Sequence, residues 1–149
     1  MINDNHVTIN NPREARSYGI GMVFQHFSLF PALTVSENIL ISLDEKITKK
    51  HLEDKISITA KQWGLPIEPT KKVLDLSVGE QQRVEIIRCL LQNPKLLIMD
   101  EPTSVLSPQE INQLFKVLRK LANSGCSILY ISHKLNEIKQ IASKVTILR

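Results

Sequence analysis

The chain has 149 residues, a formal net charge of +4 and a pI near 9.1. A chain of this length forms a single hydrophobic core, and its hydrophobic content of 42% and charged content of 23% are those of a globular protein. The basic residues are scattered, which favours a solvated surface over a nucleic-acid interface, so we expect no nucleic-acid partner.

No apolar run is long enough to cross a bilayer, and residues 1–6 are too polar for a signal peptide. The two cysteines, Cys89 and Cys126, are far apart in sequence, and neither has a nearby thiol that would form a metal or redox pair. We therefore expect both to be core residues in a reducing compartment, and we expect any membrane association to be peripheral.

In the first half of the chain the apolar pattern predicts two strands and two helices. Val7–Asn10 alternates as a short strand does, and Gly19–Phe24 is apolar enough for a buried strand. Gln25–Leu33 is predicted to be a loop. Helices are predicted over Val35–Leu43 and Lys49–Trp63.

The second half alternates more regularly between helices and strands. The predicted order is a helix Val78–Gln92, a strand Leu96–Met99, a helix capped by Ser107 and ended by Gly125, a strand Ser127–Ser132, a helix Lys134–Ala142 and a strand Val145–Leu148. Strands joined through helices predict right-handed crossovers and a parallel sheet that is covered on both faces. The predicted fold class is therefore α/β, with the helices between Thr34 and Lys72 as an inserted helical piece.

Candidate site residues follow the predicted strands, because ligands of parallel sheets bind beyond the carboxyl ends of the strands. Leu96–Met99 runs directly into Asp100 and Glu101. Two acids beside a core are costly unless a cation lies nearby. One interpretation is a magnesium site, in which one carboxylate holds the ion and the next polarises a water. The other interpretation is an acid pair at a turn before a helix.

Ser77, Gly79 and Glu80 stand at the predicted start of a helix. A serine and a glutamate at this spacing form a capping box, which is a structural arrangement. The same serine, with backbone N–H groups and the helix dipole, can instead bind an anion such as phosphate. Gly79 favours the anion site, since glycine costs helix stability but permits close approach to the backbone.

Gln25 and His133 each follow a predicted strand. Taken singly, such a glutamine is usually a solvated loop residue, and such a histidine is usually structural. Together with Ser77 and the acids Asp100 and Glu101, they occur in a fixed order at comparable positions along the sheet edge. This order predicts one shared site.

These residues and their order resemble the ABC ATPase family. Gln25 matches the family's Q-loop, and Leu76–Gln82 matches its signature motif. Leu96–Glu101 is similar to the Walker B strand with its catalytic glutamate, Ser104–Ser107 to the D-loop, and His133 to the switch histidine. The resemblance covers nearly all of the chain.

A narrower resemblance, to the ATP-binding subunits of simple-sugar and nucleoside importers, rests on three segments. They are Gly19–Phe27, Arg83–Ile86 behind the variant signature, and Thr103–Glu110. Such subunits commonly carry two ATPase halves in one polypeptide, and this chain resembles the first half.

The family resemblance implies a P-loop NTPase-type, mostly parallel sheet with an inserted helical subdomain at about residues 34–72, all within one partial ABC ATPase domain over residues 1–149. It implies ATP and Mg²⁺ as cofactors. Gln25 would help to sense magnesium and the γ-phosphate, and Asp100 would hold magnesium. Glu101 would act as the base or position the water, and His133 would contact the γ-phosphate.

The resemblance also implies protein partners. A second ATPase half would bring its nucleotide to the signature motif, because two halves enclose two nucleotides head to tail. The residues that would contact that nucleotide are Ser77, Val78, Gly79, Glu80 and Gln81. The segment from Gln25 to about Trp63 would receive the coupling helix of membrane permease subunits, at the cytoplasmic face of the membrane.

The sequence also departs from the family pattern. Val78 and Glu80 replace the commoner Gly and Gln of the signature, and Ser107 replaces the usual D-loop aspartate. No Gly-Lys pair occurs, so the phosphate-cradling loop G-x-x-x-x-G-K-[ST] is absent from this sequence. Since that loop precedes the Q-loop in the family, we expect a domain that is incomplete at its N-terminus. We expect this chain by itself to bind ATP weakly and to aggregate through unpaired strand edges.

The function that the resemblance implies is ATP binding and hydrolysis that power an importer of simple sugars or nucleosides, with the isolated chain inactive. Two alternatives stay open. The first is a soluble ABC ATPase that acts on DNA or ribosomes, a class that tends to carry coiled-coil or zinc-bearing insertions. The second is a non-catalytic remnant, for which Glu101→Gln would leave the rate of ATP hydrolysis unchanged.

Overall fold

The computed structural model describes residues 6–43 and 47–148. In this part of the chain the elements are, in order, α1 (Pro12–Ser17), β1 (Ile20–Val23), α2 (Val35–Ser42), α3 (Lys49–Trp63), α4 (Val78–Leu90), β2 (Leu96–Asp100), α5 (Pro108–Asn123), β3 (Ser127–Ile131) and α6 (Leu135–Ile141). A short 3₁₀ helix, Val73–Asp75, precedes α4. No helix in the described ranges is long and apolar enough to span a membrane.

The three strands form one parallel sheet with β2 in the centre. Val23 of β1 pairs with Met99 of β2, and Met99 pairs with Tyr130 of β3. Because all three strands run in the same direction, their C-terminal ends meet at one edge of the sheet. The predicted α/β class and the parallel sheet are confirmed.

The two faces of the sheet differ in burial. Val23, Leu97 and Met99 lie on one face and are fully buried. Since alternate residues of a strand point to opposite faces, Leu129 and Ile131 lie on the other face, where they are 51% and 44% exposed. The prediction that both faces are covered is therefore wrong for β3 within the described ranges.

Helix α5 packs on the buried side of β3. Its apolar residues Leu114, Leu118 and Leu121 recur at helical spacing and are buried. Phe115 meets Tyr130 edge to face, with ring centroids 6.1 Å apart and ring planes at 76°. This contact fixes α5 against the strand that leads to His133.

Both cysteines lie in the core, as expected. Cys89 and Cys126 are buried, and both are free thiols. Burial raises the pKa of the Cys89 thiol to about 11, so this thiol stays protonated and unreactive near neutral pH.

Helices α2 and α3 form a pair between β1 and α4. An antiparallel bridge between Thr34 and Lys72 joins the two ends of this segment. Ile39 of α2 and Leu52 and Ile56 of α3 are fully buried and belong to the same core as the sheet. The bridge falls at the predicted bounds of the inserted helical piece. That this piece is a separate subdomain stays a prediction.

Two predicted strands are wrong. Val7–Asn10 is not a strand, and Ile9 is 40% exposed. Val145–Leu148 is not a strand either, and Leu148 is 92% exposed. A strand requires a hydrogen-bonded neighbour, and in the described ranges neither segment has one.

Helix α1 is absent from the sequence-based predictions, although its start carries a known signal. Asn11 caps the helix by accepting a hydrogen bond from the Glu14 backbone N–H at 2.9 Å. Pro12 occupies the first helical position, where its missing N–H costs nothing. The Asn-Pro pair ahead of an acid would have predicted this helix.

Candidate functional site

Three predicted site residues meet at the carboxyl edge of the sheet. Gln25 follows β1, Glu101 follows β2 and His133 follows β3. The Gln25 Nε2 donates to Glu101 Oε2 at 3.3 Å, and His133 Nδ1 lies 2.8 Å from Glu101 Oε1. These three residues are called the strand-end site below, and Glu101 of the central strand lies between the other two.

The backbone of Glu101 helps to place its carboxylate. Its φ is 43°, in the left-handed region that residues other than glycine rarely adopt and that is common at functional sites. Its N–H donates to the Ile131 carbonyl at 3.0 Å, which continues the β2–β3 pairing by one residue. The chain therefore turns at Glu101 while the residue stays attached to the end of β3.

The contact between Glu101 and His133 fixes the position of one proton. An ionised carboxylate can only accept hydrogen bonds, so His133 Nδ1 is the donor. A neutral imidazole then has its lone pair on Nε2, and an imidazolium has a second donor there. The side chain of His133 is 71% exposed and that of Glu101 is 27% exposed, so the imidazole is open to a ligand that arrives from solvent.

A buried polar cluster supports the two turns that carry Glu101 and His133. Glu137 of α6 accepts hydrogen bonds from Thr103 Oγ1 at 2.6 Å and from Tyr130 OH at 2.8 Å. Its other oxygen lies 3.3 Å from Lys134 Nζ, which also donates to the Thr103 carbonyl at 2.9 Å. These residues, called the Glu137 cluster below, hold the turn after β2 and the turn after β3 together.

The hydrogen bonds of the Glu137 cluster determine its charge. Burial raises the pKa of Glu137, but bonds from Thr103, Tyr130 and Lys134 outweigh burial and hold the pKa below its ordinary value. Burial raises the pKa of Tyr130, so its hydroxyl stays a donor. Sequence reasoning missed this cluster; the available signal was an acid in the first turn of the last predicted helix.

Asp100 is the last residue of β2 and immediately precedes Glu101. It pairs in register with Ile131 and is half-buried. Among the described residues its carboxylate makes no hydrogen bond or ion pair. In the same ranges no group of three His, Cys, Asp or Glu side chains is placed to hold a metal ion. This edge of the sheet therefore offers individual oxygen atoms that could bind a metal ion, but no preformed cluster of ligands in the part of the chain that the structure describes.

The predicted nucleotide-contacting residues lie at the start of α4. Glu80 N donates to Ser77 Oγ at 3.2 Å, and Ser77 N donates to Glu80 Oε2 at 2.8 Å, which confirms the predicted capping box. Glu80 Oε1 lies 3.4 Å from Lys71 Nζ, and Gln81 Nε2 donates to the Leu76 carbonyl at 3.2 Å. None of these bonds reaches the strand-end site. The structure therefore brings Gln25, Glu101 and His133 together and holds Ser77–Gln81 by separate contacts.

The capping box lowers the pKa of Glu80. The bond from the Ser77 backbone N–H is the largest cause, and burial opposes it. Glu80 is consequently a carboxylate at neutral pH, and it occupies the Ser77 N–H, one of the backbone groups that an anion at this helix start could use.

Gly79 is buried against Glu110 of α5. A Cβ on Gly79 would lie 1.7 Å from Glu110 Oε1 and 2.6 Å from its Cδ. The other oxygen of Glu110 accepts hydrogen bonds from Ser107 N at 2.9 Å and Ser107 Oγ at 2.7 Å. A side chain at position 79 would displace the carboxylate that caps α5. This contact explains the glycine from within the chain, in addition to the ligand approach that the sequence suggested.

Comparison with known proteins places these features in one family. The sequence pattern of the ABC transporter family matches residues 1–104. The nucleoside import ATP-binding protein NupA of Lactococcus lactis subsp. cremoris is 44% identical over 149 residues, which cover 95% of this chain. The ribose import ATP-binding protein RbsA 3 of Rubrobacter xylanophilus is 38% identical over 152 residues, which cover 99% of this chain. The chain spans 29% of the length of the first and 31% of the second.

Solved structures agree with the sequence comparison. The dimeric structure of MJ0796, a bacterial ABC transporter cassette, has a TM-score of 0.72 and 27% identity, over 88% of this chain and 60% of that chain. CbiO1 from Clostridium perfringens, part of the ABC transporter complex cbiONQ, has a TM-score of 0.71 and 26% identity, over 88% of this chain and 54% of that chain. By its sequence match and its fold, the chain belongs to the ABC transporter family.

Proposed function

We propose that the chain is part of the ATP-binding and ATP-hydrolysing subunit of an ABC importer for simple sugars or nucleosides. It would bind permease subunits at the cytoplasmic face of the membrane and act with a second ATPase half. The names of the relatives support this proposal: they are nucleoside, ribose and guanosine import ATP-binding proteins, of which the chain spans 29% to 31%.

The observation that carries the proposal is the position of Glu101 between Gln25 and His133, at the ends of three adjacent parallel strands. A carboxylate in this position can accept a proton from a water or orient that water for attack on a phosphate. The exposed imidazole of His133 can donate from Nε2 to a phosphate oxygen when it is protonated. The hydrogen bond from Gln25 to Glu101 would then change when Glu101 binds a water, and this change would be passed to the loop that carries Gln25.

Mg²⁺ fits the donor atoms at this edge. The ion prefers oxygen ligands, keeps several waters and takes few ligands from protein. The Asp100 carboxylate and the Gln25 side-chain oxygen, which stays available while Nε2 donates to Glu101, are the atoms that would hold it. When bound, the ion would neutralise charge on the phosphates.

The start of α4 would face the nucleotide held by the second ATPase half. The residues proposed for this contact are Ser77, Val78, Gly79, Glu80 and Gln81. Helix N–H groups and the helix dipole favour a phosphate there. Because Glu80 already accepts a hydrogen bond from Ser77 N, the arriving phosphate would have to displace its carboxylate, and Lys71 is placed to receive it.

The test is ATP hydrolysis by the membrane complex purified through a tag on this chain, in parallel preparations of the parent and Glu101→Gln. We expect permease subunits to co-purify and Glu101→Gln to lower the rate by at least about 100-fold, the usual size of a lost general base. The matched control is Glu68→Gln, since the Glu68 side chain is exposed and bonds to Thr70.

Equal rates for the parent and Glu101→Gln would contradict catalysis by this chain and support the non-catalytic alternative. Co-purification of DNA or ribosomes in place of a permease would contradict the transport role. In both cases Glu68→Gln should behave as the parent does.

A further inference from the structure

Glu85 is a charged side chain inside the core. It lies on α4, is 1% exposed, and its neighbours in sequence Val84, Ile86 and Ile87 are also buried. A carboxylate in such surroundings is costly unless donors satisfy its oxygens. Two donors do so: the Arg88 guanidinium one turn further along α4, and the backbone N–H of Ser28 at 3.0 Å.

The bond to Ser28 connects α4 with the loop that carries Gln25. Ser28 lies 57 residues from Glu85 in sequence and belongs to the loop between β1 and α2. Asn38 of α2 also anchors this loop through its side chain. Asn38 Oδ1 accepts from Phe30 N at 2.7 Å, and Asn38 Nδ2 donates to the Phe30 carbonyl at 3.1 Å.

These anchors leave Gln25 between two fixed points. On one side β1 is held to β2 by the strand ladder, and Cys89 Sγ on α4 contacts the Met22 carbonyl at 3.5 Å. On the other side Glu85 holds the N–H of Ser28. Both contacts come from the same helix, which begins with the capping box at Ser77.

We propose that Glu85 is a positioning residue, which ties the Gln25 loop to α4 so that the Gln25–Glu101 contact depends on the position of that helix. A shift of α4 would move Ser28 through its hydrogen bond to Glu85. The distance between the Gln25 amide and the Glu101 carboxylate would then change. Conversely, a change in the Gln25–Glu101 contact would be transmitted through the Ser28–Glu85 hydrogen bond to α4. The consequence for ATP hydrolysis rests on the proposed function, whereas the linkage itself does not.

A purely local role for Glu85 makes a different prediction. If its carboxylate served only to pair with Arg88, replacing Arg88 and replacing Glu85 would have the same effects, confined to α4. If it positions the loop, the two replacements differ, because only loss of the Glu85 acceptor frees Ser28. The conservative variant Glu85→Gln keeps an acceptor oxygen for Ser28 and should preserve the linkage.

The experiment is nuclear magnetic resonance on the ¹⁵N-labelled chain without nucleotide or permease, so that its failure is separate from failure of the proposed function. All variants carry Leu129→Thr and Ile131→Thr, which remove the exposed apolar side chains of β3 and limit self-association. The two signals are the exchange rate of the Ser28 backbone amide and the shift of the Gln25 side-chain amide. Glu101→Ala supplies the reference shift of a Gln25 amide that has lost its acceptor. Amides of α5 report that the core is intact.

In Glu85→Leu we expect Ser28 exchange to rise about tenfold or more, since a bond to a charged acceptor is lost. We expect the Gln25 amide to move toward its position in Glu101→Ala. Glu85→Gln and Arg88→Leu should stay close to the parent for both signals. Ser28→Pro removes the same hydrogen bond from the donor side, at an exposed position and with the core side chains unchanged, so it replaces Glu85→Leu if that variant does not fold.

An unchanged Gln25 amide in folded Glu85→Leu or Ser28→Pro would overturn the proposal. A Gln25 shift of the same size in Arg88→Leu would also overturn it, because the effect would then follow the ion pair and not the Ser28 bond.

Discussion

At the residue scale, the positions of Gln25, Glu101 and His133 after successive strands were enough to predict that they lie together in the strand-end site. Once the sheet is parallel, residues that follow adjacent strands must lie at one edge, which is why Gln25, Glu101 and His133 could be grouped. Their contacts also depend on the positive φ of Glu101, which no pattern of sequence predicts for a glutamate. The Glu137 cluster could not be predicted, since it forms only when α6 packs against the turn after β2.

The Glu137 cluster gives a prediction for Thr103, which is 1% exposed and donates to Glu137 at 2.6 Å. Thr103→Val keeps the shape of the side chain and removes the donor. We expect the free energy of unfolding to fall by about 1.5–3 kcal/mol, the range for a hydrogen bond to a charged group. Urea denaturation measures this loss.

Ser104→Ala is the matched control, since Ser104 is the exposed neighbour of Thr103. A surface change of this kind alters stability by less than about 0.5 kcal/mol. If Thr103→Val is no more destabilising than Ser104→Ala, the cluster does not hold the two turns together.

At the element scale, helices with local start signals were predicted best. The bounds of α3, Lys49–Trp63, agree with the prediction, and so does the start of α5 at Pro108 with Ser107 as its cap. The strands predicted at Val7–Asn10 and Val145–Leu148 were wrong, because alternation describes a strand but cannot supply the neighbour it must pair with. Helix ends are local, whereas strand pairing depends on the whole fold.

The capping box of α2 predicts a dependence of stability on pH. Hydrogen bonds from the Thr34 backbone N–H and from Lys49 lower the pKa of Glu37 to about 2 from the ordinary value of 4.5. A depressed pKa stabilises the fold while the carboxylate is ionised, so this contribution is present above pH 4.5 and is lost as the pH falls to about 2. We expect Glu37→Gln to be less stable than the parent at pH 7, with the difference shrinking to nothing through that window.

Thermal unfolding of the parent and of Glu37→Gln across this pH range measures the effect. Glu68→Gln, at an exposed glutamate that belongs to no capping box in the described ranges, is the control and should follow the parent at every pH. A difference for Glu37→Gln that stays constant from pH 7 to pH 2 would contradict the assigned cause.

At the scale of the whole molecule, the fold is a parallel sheet with one packed face and one partly open face. The packed face is where the sequence-based prediction was right: the apolar residues of β2 and α5 meet there in a common core. The open face was not predicted, because alternating helices and strands indicate that a parallel sheet exists but do not indicate which residues cover each side. Within the described ranges β3 pairs only with β2, so its outer edge is also unpaired.

The open face and the free edge of β3 predict self-association of the 149-residue chain. Leu129 and Ile131 are 51% and 44% exposed on a strand whose outer N–H and C=O groups have no strand partner in the described ranges, and such edges template pairing with another chain. Replacing both residues with threonine removes apolar area and places a β-branched side chain, which suits a strand, at each position. We expect self-association to weaken about tenfold, because burying two half-exposed apolar side chains is worth roughly 1.4 kcal/mol or more.

Sedimentation velocity over a concentration series measures this change, with Ile58→Thr as the control, since Ile58 is 65% exposed but lies on helix α3. Equal weakening by Ile58→Thr would mean that general surface hydrophobicity drives association, whereas an effect confined to Leu129 and Ile131 would locate it at the edge strand.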